Sequence, residues 1–410
     1  MLYSIYYWIF KYYFRLEYLL EAIFHHILIK LKGSNYKNRI IYQSDIGTLI
    51  NKIKKNEKKR LALFVAFHDK RYIPQSNHEY IKFLANCDFI VVYIHNGKLN
   101  KDVIEKLNNL GCYLICRKNI GQDFGAWKDL LEMLEDYKIN NLLRWILICN
   151  DSNFCINGSN LNFIKKFEKN LVSPENYDFL SLNCNFELNL HYQSYFLCFG
   201  QQVFRSKIFK NFWRNYLPLN HRYHSIKRGE KKLSDNVLSN FKSKVILNNH
   251  DLYHLIINES NQNDFRALLS LFPKNQIFLE KCFLNNSFNS GLLKMLGVLE
   301  SYNPSHIFAL TNIYFLNSPF IKKDIVRFGL YSLNQIHEVL SSSKLELKKE
   351  IIDELMSYFT SSGTIYSYKE NLRKAIRRGV PKARELTYNA HLESMLLIDP
   401  EAISKRVLPK

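Results

Sequence analysis

Four short runs of uninterrupted apolar residues, separated by stretches of helical pattern, constrain this chain more than any other feature: Leu61–Phe67, Phe89–Ile94, Cys112–Cys116 and Trp145–Cys149. A strand with one wet face alternates apolar and polar residues, whereas a strand that is apolar throughout needs cover on both faces. The segments between the runs supply that cover. Tyr80–Cys87 reads as a helix, and Asn100–Leu110 as a second, with Asn100 as N-cap and Gly111 as its stop. Phe124–Tyr137 reads as a third, with Trp127, Leu130, Leu131, Leu134 and Tyr137 on one face. Strand and helix in turn indicate an α/β fold, a mostly parallel, Rossmann-type sheet covered by helices. Further strands are expected at Phe179–Leu182 and Tyr195–Phe199, and a mobile polar loop at His221–Lys232. Beyond residue 260 the pattern is mainly helical.

The basic run Lys52–Arg60 stops where the first apolar strand starts, and a boundary is placed there. Three regions result: a basic, helical, membrane-associated or packed segment over 1–60, an α/β domain over 61–260, and a mainly helical region over 261–410. With 47% hydrophobic and 23% charged residues the chain has a globular balance, which rules out wholesale disorder. Its eight cysteines form no CxxC pair and no cluster with His, and several sit in apolar runs such as Leu147-Ile148-Cys149. They read as small buried apolar residues in a reducing cytosol, not as disulfides or zinc ligands.

A formal charge of +20 points to nucleic acid, an anionic membrane surface or a phosphate-bearing substrate, or to a basic solvated surface without a single partner. No P-loop, RNP-like, helix-turn-helix or zinc-finger pattern accompanies the charge, so nucleic acid is set aside. Residues 1–32 alternate aromatic and aliphatic groups with Lys11, Arg15, Lys30 and Lys32. The apolar start is short of the ~20 residues a spanning helix needs. Its charges follow it, unlike those of a cleavable signal. The segment reads as an interfacial helix or as an ordinary helix packed on the main domain. Residues 345–410 hold a basic helical segment with Lys369, Arg373 and Arg377 at i, i+4 spacing.

Parallel sheets bind ligands beyond the carboxyl ends of their strands. The third strand runs into Arg117-Lys118-Asn119-Ile120-Gly121-Gln122-Asp123-Phe124-Gly125-Ala126-Trp127. There Gly121 and Gly125 allow close backbone approach, and a helix start offers N–H groups to an anion; the same sequence can also be only a turn. The fourth strand ends at Asn150-Asp151-Ser152. Asp151 can hold a divalent cation, bond a ribose hydroxyl, or serve as an N-cap or turn residue. His68 follows the first strand and can line the same edge.

In this order the elements resemble family 2 type glycosyltransferases of the GT-A fold, and more specifically the rhamnan synthesis protein F family. The stretches that carry the likeness are Phe67-His68-Asp69, Asn119 through Trp127, Asn150-Asp151-Ser152, His191-Tyr192-Gln193-Ser194-Tyr195-Phe196 and Phe212-Trp213. Asn303-Pro304-Ser305-His306 and Pro319-Phe320-Ile321-Lys322 extend it toward residue 330. The resemblance implies a GT-A-like glycosyltransferase at the cytoplasmic membrane face. It would move a sugar from a nucleotide-sugar donor to a glycan or lipid-linked glycan acceptor, in making a rhamnan or lipopolysaccharide-type polysaccharide.

It further implies His68, Asp69, Asn119, Gly121, Asp123 and Ser152 at the donor site, and Gln193 and Ser194 beside the transferred sugar or acceptor. Asp151 takes the metal–diphosphate position, with Mn2+ or Mg2+ as the ion. Glu230 falls near a Glu of the family and is the candidate general base, because an inverting transfer needs a carboxylate to take the acceptor proton; a solvated loop Glu is the plainer reading. The triplet at Asn150–Ser152 carries one carboxylate only. Either the donor diphosphate completes the ion's ligands, or basic side chains at Arg117, Lys118 and Arg222–Lys232 neutralise the diphosphate instead. A catalytically inactive GT-A-like scaffold in a polysaccharide-assembly complex is the alternative.

Overall fold

The computed structural model describes residues 2–32, 35–172, 177–186, 190–259, 265–273, 280–284, 286–299, 302–327, 330–342, 345 and 347–362. The basic segment expected around Lys369, Arg373 and Arg377 lies outside them. In chain order the strands are β1 (Ile40–Gln43), β2 (Arg60–Ala66), β3 (Phe89–His95), β4 (Tyr113–Arg117), β5 (Trp145–Asn150), β6 (Asn153–Cys155) and β7 (Phe179–Ser181). They continue as β8 (Cys184–Asn185), β9 (His191–Tyr192), β10 (Phe196–Gly200), β11 (Ser243–Val245) and β12 (Phe320–Lys322). Eight of these make one sheet in the order β1-β4-β3-β2-β5-β10-β7-β11.

The four strands named by the apolar runs form its parallel centre, β4-β3-β2-β5. Side chains alternate between the two faces and are buried on both. Leu63, Val65, Ile94, Ile115 and Ile148 pack with Trp127, Leu130 and Leu134 of α5 (Gln122–Asp136). Phe64, Tyr93, Leu114 and Leu147 pack on the other face. Their partners there come from α3 (Gln75–Asn86), α4 (Lys101–Asn109) and α6 (Leu161–Val172), ahead of which in the chain lie α1 (Leu2–Lys32) and α2 (Ile46–Lys55).

Outside the centre the sheet turns antiparallel, at β10 on one side and β1 on the other, while β11 runs parallel to β7. The sheet begins at Ile40 rather than Leu61. β1 pairs with β4, and Leu49 and Ile53 of α2 are fully buried against the same core. The basic run between them ties the elements together: Lys52 Nζ donates to the Gly111 carbonyl and Lys59 Nζ to that of Ile53, each at 3.0 Å.

α3 starts at Gln75, earlier than the pattern indicates, with Pro74 at its N-cap. Asn100 sits at the N-cap of α4 without a side-chain capping bond, and Gly111 follows the helix at φ +79°. Tyr137, expected on the buried face of its helix, forms the C-cap and is exposed. The stretch expected as a mobile loop is helical: Arg222–His224 leads into seven residues of π-helix, Ser225–Lys231, and on into Lys232–Asn236.

The described part of the C-terminal region is mainly helical around its own core, which includes Leu292, Leu310 and Ile336. It reaches the α/β part through a separate two-stranded ribbon, where β12 pairs antiparallel with β6, and through Glu354 and Lys348, which bond Ser76 and Glu79 of α3. Phe320 drives the ribbon contact, its ring lying 5.1 Å from Tyr80 and 5.2 Å from Phe83.

Candidate active site

The carboxyl ends of β2 and β5 meet at one point, because Asp151 N donates to the Val65 carbonyl at 3.0 Å and Asp151 Oδ2 accepts from Phe67 N at 3.2 Å. Asn150, the last residue of β5, turns its amide into the sheet's edge. Its Nδ2 donates to Asp123 Oδ2 at 2.7 Å, and its Oδ1 accepts from Ser152 N at 3.1 Å and Ser152 Oγ at 2.6 Å. Asp123 stands in the first turn of α5. The expected Asp123, Asp151 and Ser152 are thus brought together by one asparagine.

The glycines on either side of Asp123 have a packing explanation. Gly121 has φ +78°, and a Cβ there would lie 2.4 Å from Pro218 Cβ; one on Gly125 would lie 2.1 Å from the Ile120 carbonyl oxygen. The close approach is made by Pro218 and by the turn itself. Asn119 is exposed, and its carbonyl accepts from Asn220 Nδ2 at 2.9 Å. Arg117, expected as a free cation, is fully buried. It donates to Asp129 from Nε at 2.9 Å, to Asn96 Oδ1 at 2.6 Å and to the Ile120 carbonyl at 2.8 Å.

The positive charge comes from elsewhere. The β12–β6 pairing delivers Lys322 Nζ to Ser152 Oγ at 2.8 Å, over the Tyr195 ring at 4.2 Å, and Lys323 Nζ to 3.7 Å from Asp151 Oδ2. Arg222 pairs with Asp324 at 3.0 Å beside them. Lys322 closes the Pro319–Lys322 stretch, whose sequence alone assigns the lysine no role. The available signal was an apolar pair, Phe320-Ile321, running directly into two lysines.

Glu230, in the π-helical turn, is held on the same side. Its Oε2 accepts from Ser194 N at 2.8 Å and Ser194 Oγ at 2.7 Å, and its Oε1 lies 3.5 Å from His191 Nε2. The turn docks through Gly229, where a Cβ would lie 2.8 Å from the Phe124 ring, itself stacked on Trp213 at 5.7 Å. Gln193 is buried, with Nε2 donating to Asn303 Oδ1 at 2.7 Å, which ties the Asn303–His306 stretch to the site.

His68 and Asp69 serve the wall more than the centre. His68 Nε2 bonds Tyr93 Oη at 2.7 Å and Nδ1 bonds the Asp69 carbonyl at 2.8 Å; burial depresses its pKa and keeps the ring neutral. Asp69 turns to Arg71, 2.8 Å away, which holds its carboxyl down at about 2.

Electrostatics separate the remaining groups. Burial, then the Asp151 charge, push Asp123 up to about 6, against the Asn150 amide and the Lys322 charge. Burial lowers Lys322 to about 8, although Asp324, Glu230 and Asp123 all favour its charged form. Burial alone would raise Glu230, but bonds from His191 and Ser194 outweigh it and hold that carboxyl below its ordinary value.

The Asp151 neighbourhood does not fit an all-protein site for Mn2+ or Mg2+, which calls for several oxygen ligands. Among the described residues no three His, Cys, Asp or Glu side chains gather around a common point. Asp151 Oδ2 already faces an N–H and an ammonium, and Ser152 Oγ faces another. Two lysine ammoniums at this edge, those of Lys322 and Lys323, suit an anion.

The family model described as rhamnan synthesis protein F matches residues 91–314, a span that holds Asp123, Asp151, Ser194 and Glu230 and ends short of Lys322. An uncharacterized protein y4gN of Sinorhizobium fredii (strain NBRC 101917 / NGR234) is 28% identical over 146 residues, 36% of this chain. The match spans 37% of that relative's own length.

Proposed function

Because the chain belongs to the rhamnan synthesis protein F family, its place is in rhamnan and polysaccharide synthesis, and we propose that it acts there as a glycosyltransferase of GT-A type. The donor is a nucleotide-sugar and the acceptor a hydroxyl of a growing, lipid-linked glycan. One observation carries this reading: Asn150 donates from Nδ2 to Asp123 Oδ2 at 2.7 Å and accepts through Oδ1 from Ser152 Oγ at 2.6 Å, which Lys322 Nζ reaches at 2.8 Å, so a carboxyl and a half-buried ammonium share one short turn. Transfer needs both functions at one anomeric carbon, a base for the acceptor proton and a cation for the leaving diphosphate.

In the proposed step the acceptor oxygen attacks the anomeric carbon, and the bond from that carbon to the diphosphate oxygen breaks. The electron pair leaves with the nucleoside diphosphate, and Lys322 and Lys323 stabilise the charge that develops there. The acceptor proton passes to Asp123, whose raised pKa suits a base working near neutrality. Glu230, the base expected from sequence, has one oxygen filled by two donors and stays ionised, which suits it to positioning Ser194. Asp151, fixed between β2 and β5, faces the donor's ribose or sugar hydroxyls.

A thermal-shift series across nucleoside diphosphates and their sugars tests the donor, since a ligand that binds only the folded chain raises its melting temperature. A nucleotide-sugar that stabilises the wild type but not Lys322→Ala, and is turned over in the presence of a glycan acceptor, is the expected result. Stabilisation without turnover would favour the inactive scaffold, and no stabilisation by any nucleotide would remove the donor site.

A further inference from the structure

Among its described side chains, α1 touches the rest of the protein through the polar groups of Tyr18 and Glu21 and turns a row of apolar residues to solvent. Tyr18 Oη bonds His224 Nδ1 at 2.7 Å, and Glu21 lies 3.2 Å from His221 Nε2. On the far side Ile9, Tyr12, Leu16, Leu20, Ile23 and Ile27 are 58, 60, 55, 58, 49 and 50% exposed. At 3.6 residues per turn these six fall in one sector opposite Tyr18, a stripe ~27 Å long. A helix packed on a protein body ordinarily shows the reverse arrangement, and an apolar stripe of this length marks an interaction surface.

We infer that α1 lies in the headgroup layer of an anionic bilayer, its apolar stripe facing the lipid. Charge is complementary: the α1 sequence carries Lys11, Arg15, Lys30 and Lys32 against Glu17 and Glu21, in a chain of net charge +20. Trp8 and Tyr12 stack on each other at the exposed surface, and such amphipathic rings favour a membrane–water boundary. Spanning is excluded for the described helices, none of which is long and apolar enough to cross a membrane. The stripe is also broader than a coiled-coil seam, since Leu19 and Phe24 flank it at 53 and 60% exposure. That breadth suits a flat lipid surface better than a second copy of the helix.

The contact bears on the site. His221 and His224, which receive α1, open the helical stretch that continues to Glu230, with Arg222 between them. Docking α1 therefore sets that side of the catalytic edge beside the bilayer. The inference needs no sugar chemistry and is measured without substrate.

Flotation of the full chain with phosphatidylcholine–phosphatidylglycerol vesicles tests it. The wild type is expected to float, in part even at high salt where Lys and Arg contacts are screened. Leu16→Glu combined with Leu20→Glu is expected to cut the bound fraction at least ~10-fold. A second readout works on the wild type. Trp127, Trp145 and Trp213 are buried and Trp8 is 38% exposed, so vesicles should blue-shift a fluorescence component that disappears in Trp8→Phe. A wild type that stays at the bottom, a double variant that floats equally well, or an unshifted Trp8 overturns the inference. So does a dimer that the double variant breaks without any vesicle binding, which would hand the stripe to a second copy.

Discussion

Two aspartates on α5, Asp123 and Asp129, differ in everything except residue type. Asp129 is fully buried between two guanidiniums: Arg39 Nε at 3.0 Å from each of its oxygens, and Arg117 Nη2 at 2.8 Å. Asp123 has a neutral amide for its hydrogen-bond partner and a second carboxylate, Asp151, close enough to raise its pKa. Burial alone does not make a carboxyl functional. A carboxyl group whose oxygens are committed to two arginines serves the fold; one matched by an amide, as Asp123 is, is left able to titrate.

The largest effect expected from breaking this contrast is at Asp129. Asp129→Ala leaves Arg39 and Arg117 buried without their counter-ion, at a cost of ~3–5 kcal/mol. Urea unfolding should show that loss, or the variant should fail to accumulate in folded form; a shift too small to resolve would mean that the triad is not rigid.

Asp123→Asn should do the opposite. Transfer is expected to fall ~10²–10⁴-fold, the usual worth of a positioned base, while the fold survives. The pH dependence gives the sign. Asp123 in the folded chain titrates at about 6 against an ordinary 3.8. Its contribution to stability is therefore complete below pH ~4 and is lost as pH rises to ~6, by roughly 1–3 kcal/mol. The asparagine variant should lack that decline and melt higher at neutral pH. An equal melting curve with full activity would move proton acceptance to another residue.

Lys322 sharpens the same point with a smaller effect. Its replacement by Met should lower kcat/KM ~10²-fold, as expected for one donor to a developing oxyanion. The wild-type profile of kcat/KM against pH should be a bell, rising as Asp123 loses its proton at about 6 and falling as Lys322 loses its own at about 8. Lys322→Arg keeps its charge and should push the alkaline limb upward. A limb that stays at 8 in that variant would belong to a different group.

The parallel centre of the sheet was legible because its strands are apolar on both faces, and the Asn150–Ser152 edge because β5 runs straight into it. β1 was not, since its residues are half-buried or exposed and its apolar run, Ile40-Ile41-Tyr42, is only three residues long. Ser225–Lys231 read as a loop because i→i+5 winding hides the 3.6-residue period. Arg117 looked like a free cation because its counter-ion, Asp129, sits well down the next helix. Lys322 was hidden for a longer-range reason: it reaches Ser152 from 170 residues away through a pairing only three residues long. Pro218 likewise accounts for Gly121 from across the chain. Local pattern gave the scaffold, and non-local pairing decided which charges reach its edge.

Asp69 supplies the control between the two extremes, and the smallest expected effect. Like Asp129 it is matched by an arginine, with Arg71 Nε and Nη2 at 2.9 and 2.8 Å; unlike Asp129, it makes that pair in reach of solvent. Water can replace an exposed partner, so losing the pair leaves no buried charge uncompensated. Its carboxyl is held near 2, too acidic to exchange a proton at neutral pH. Asp69→Ala is thus expected to leave both the melting curve and the acid limb of the pH profile in place, with transfer within roughly twofold of wild type. A larger loss, carried in KM for the nucleotide-sugar alone, would bring Asp69 back to the donor site as a binding group. It would also show that ion pairing to arginine does not by itself separate a structural carboxylate from a functional one in this chain.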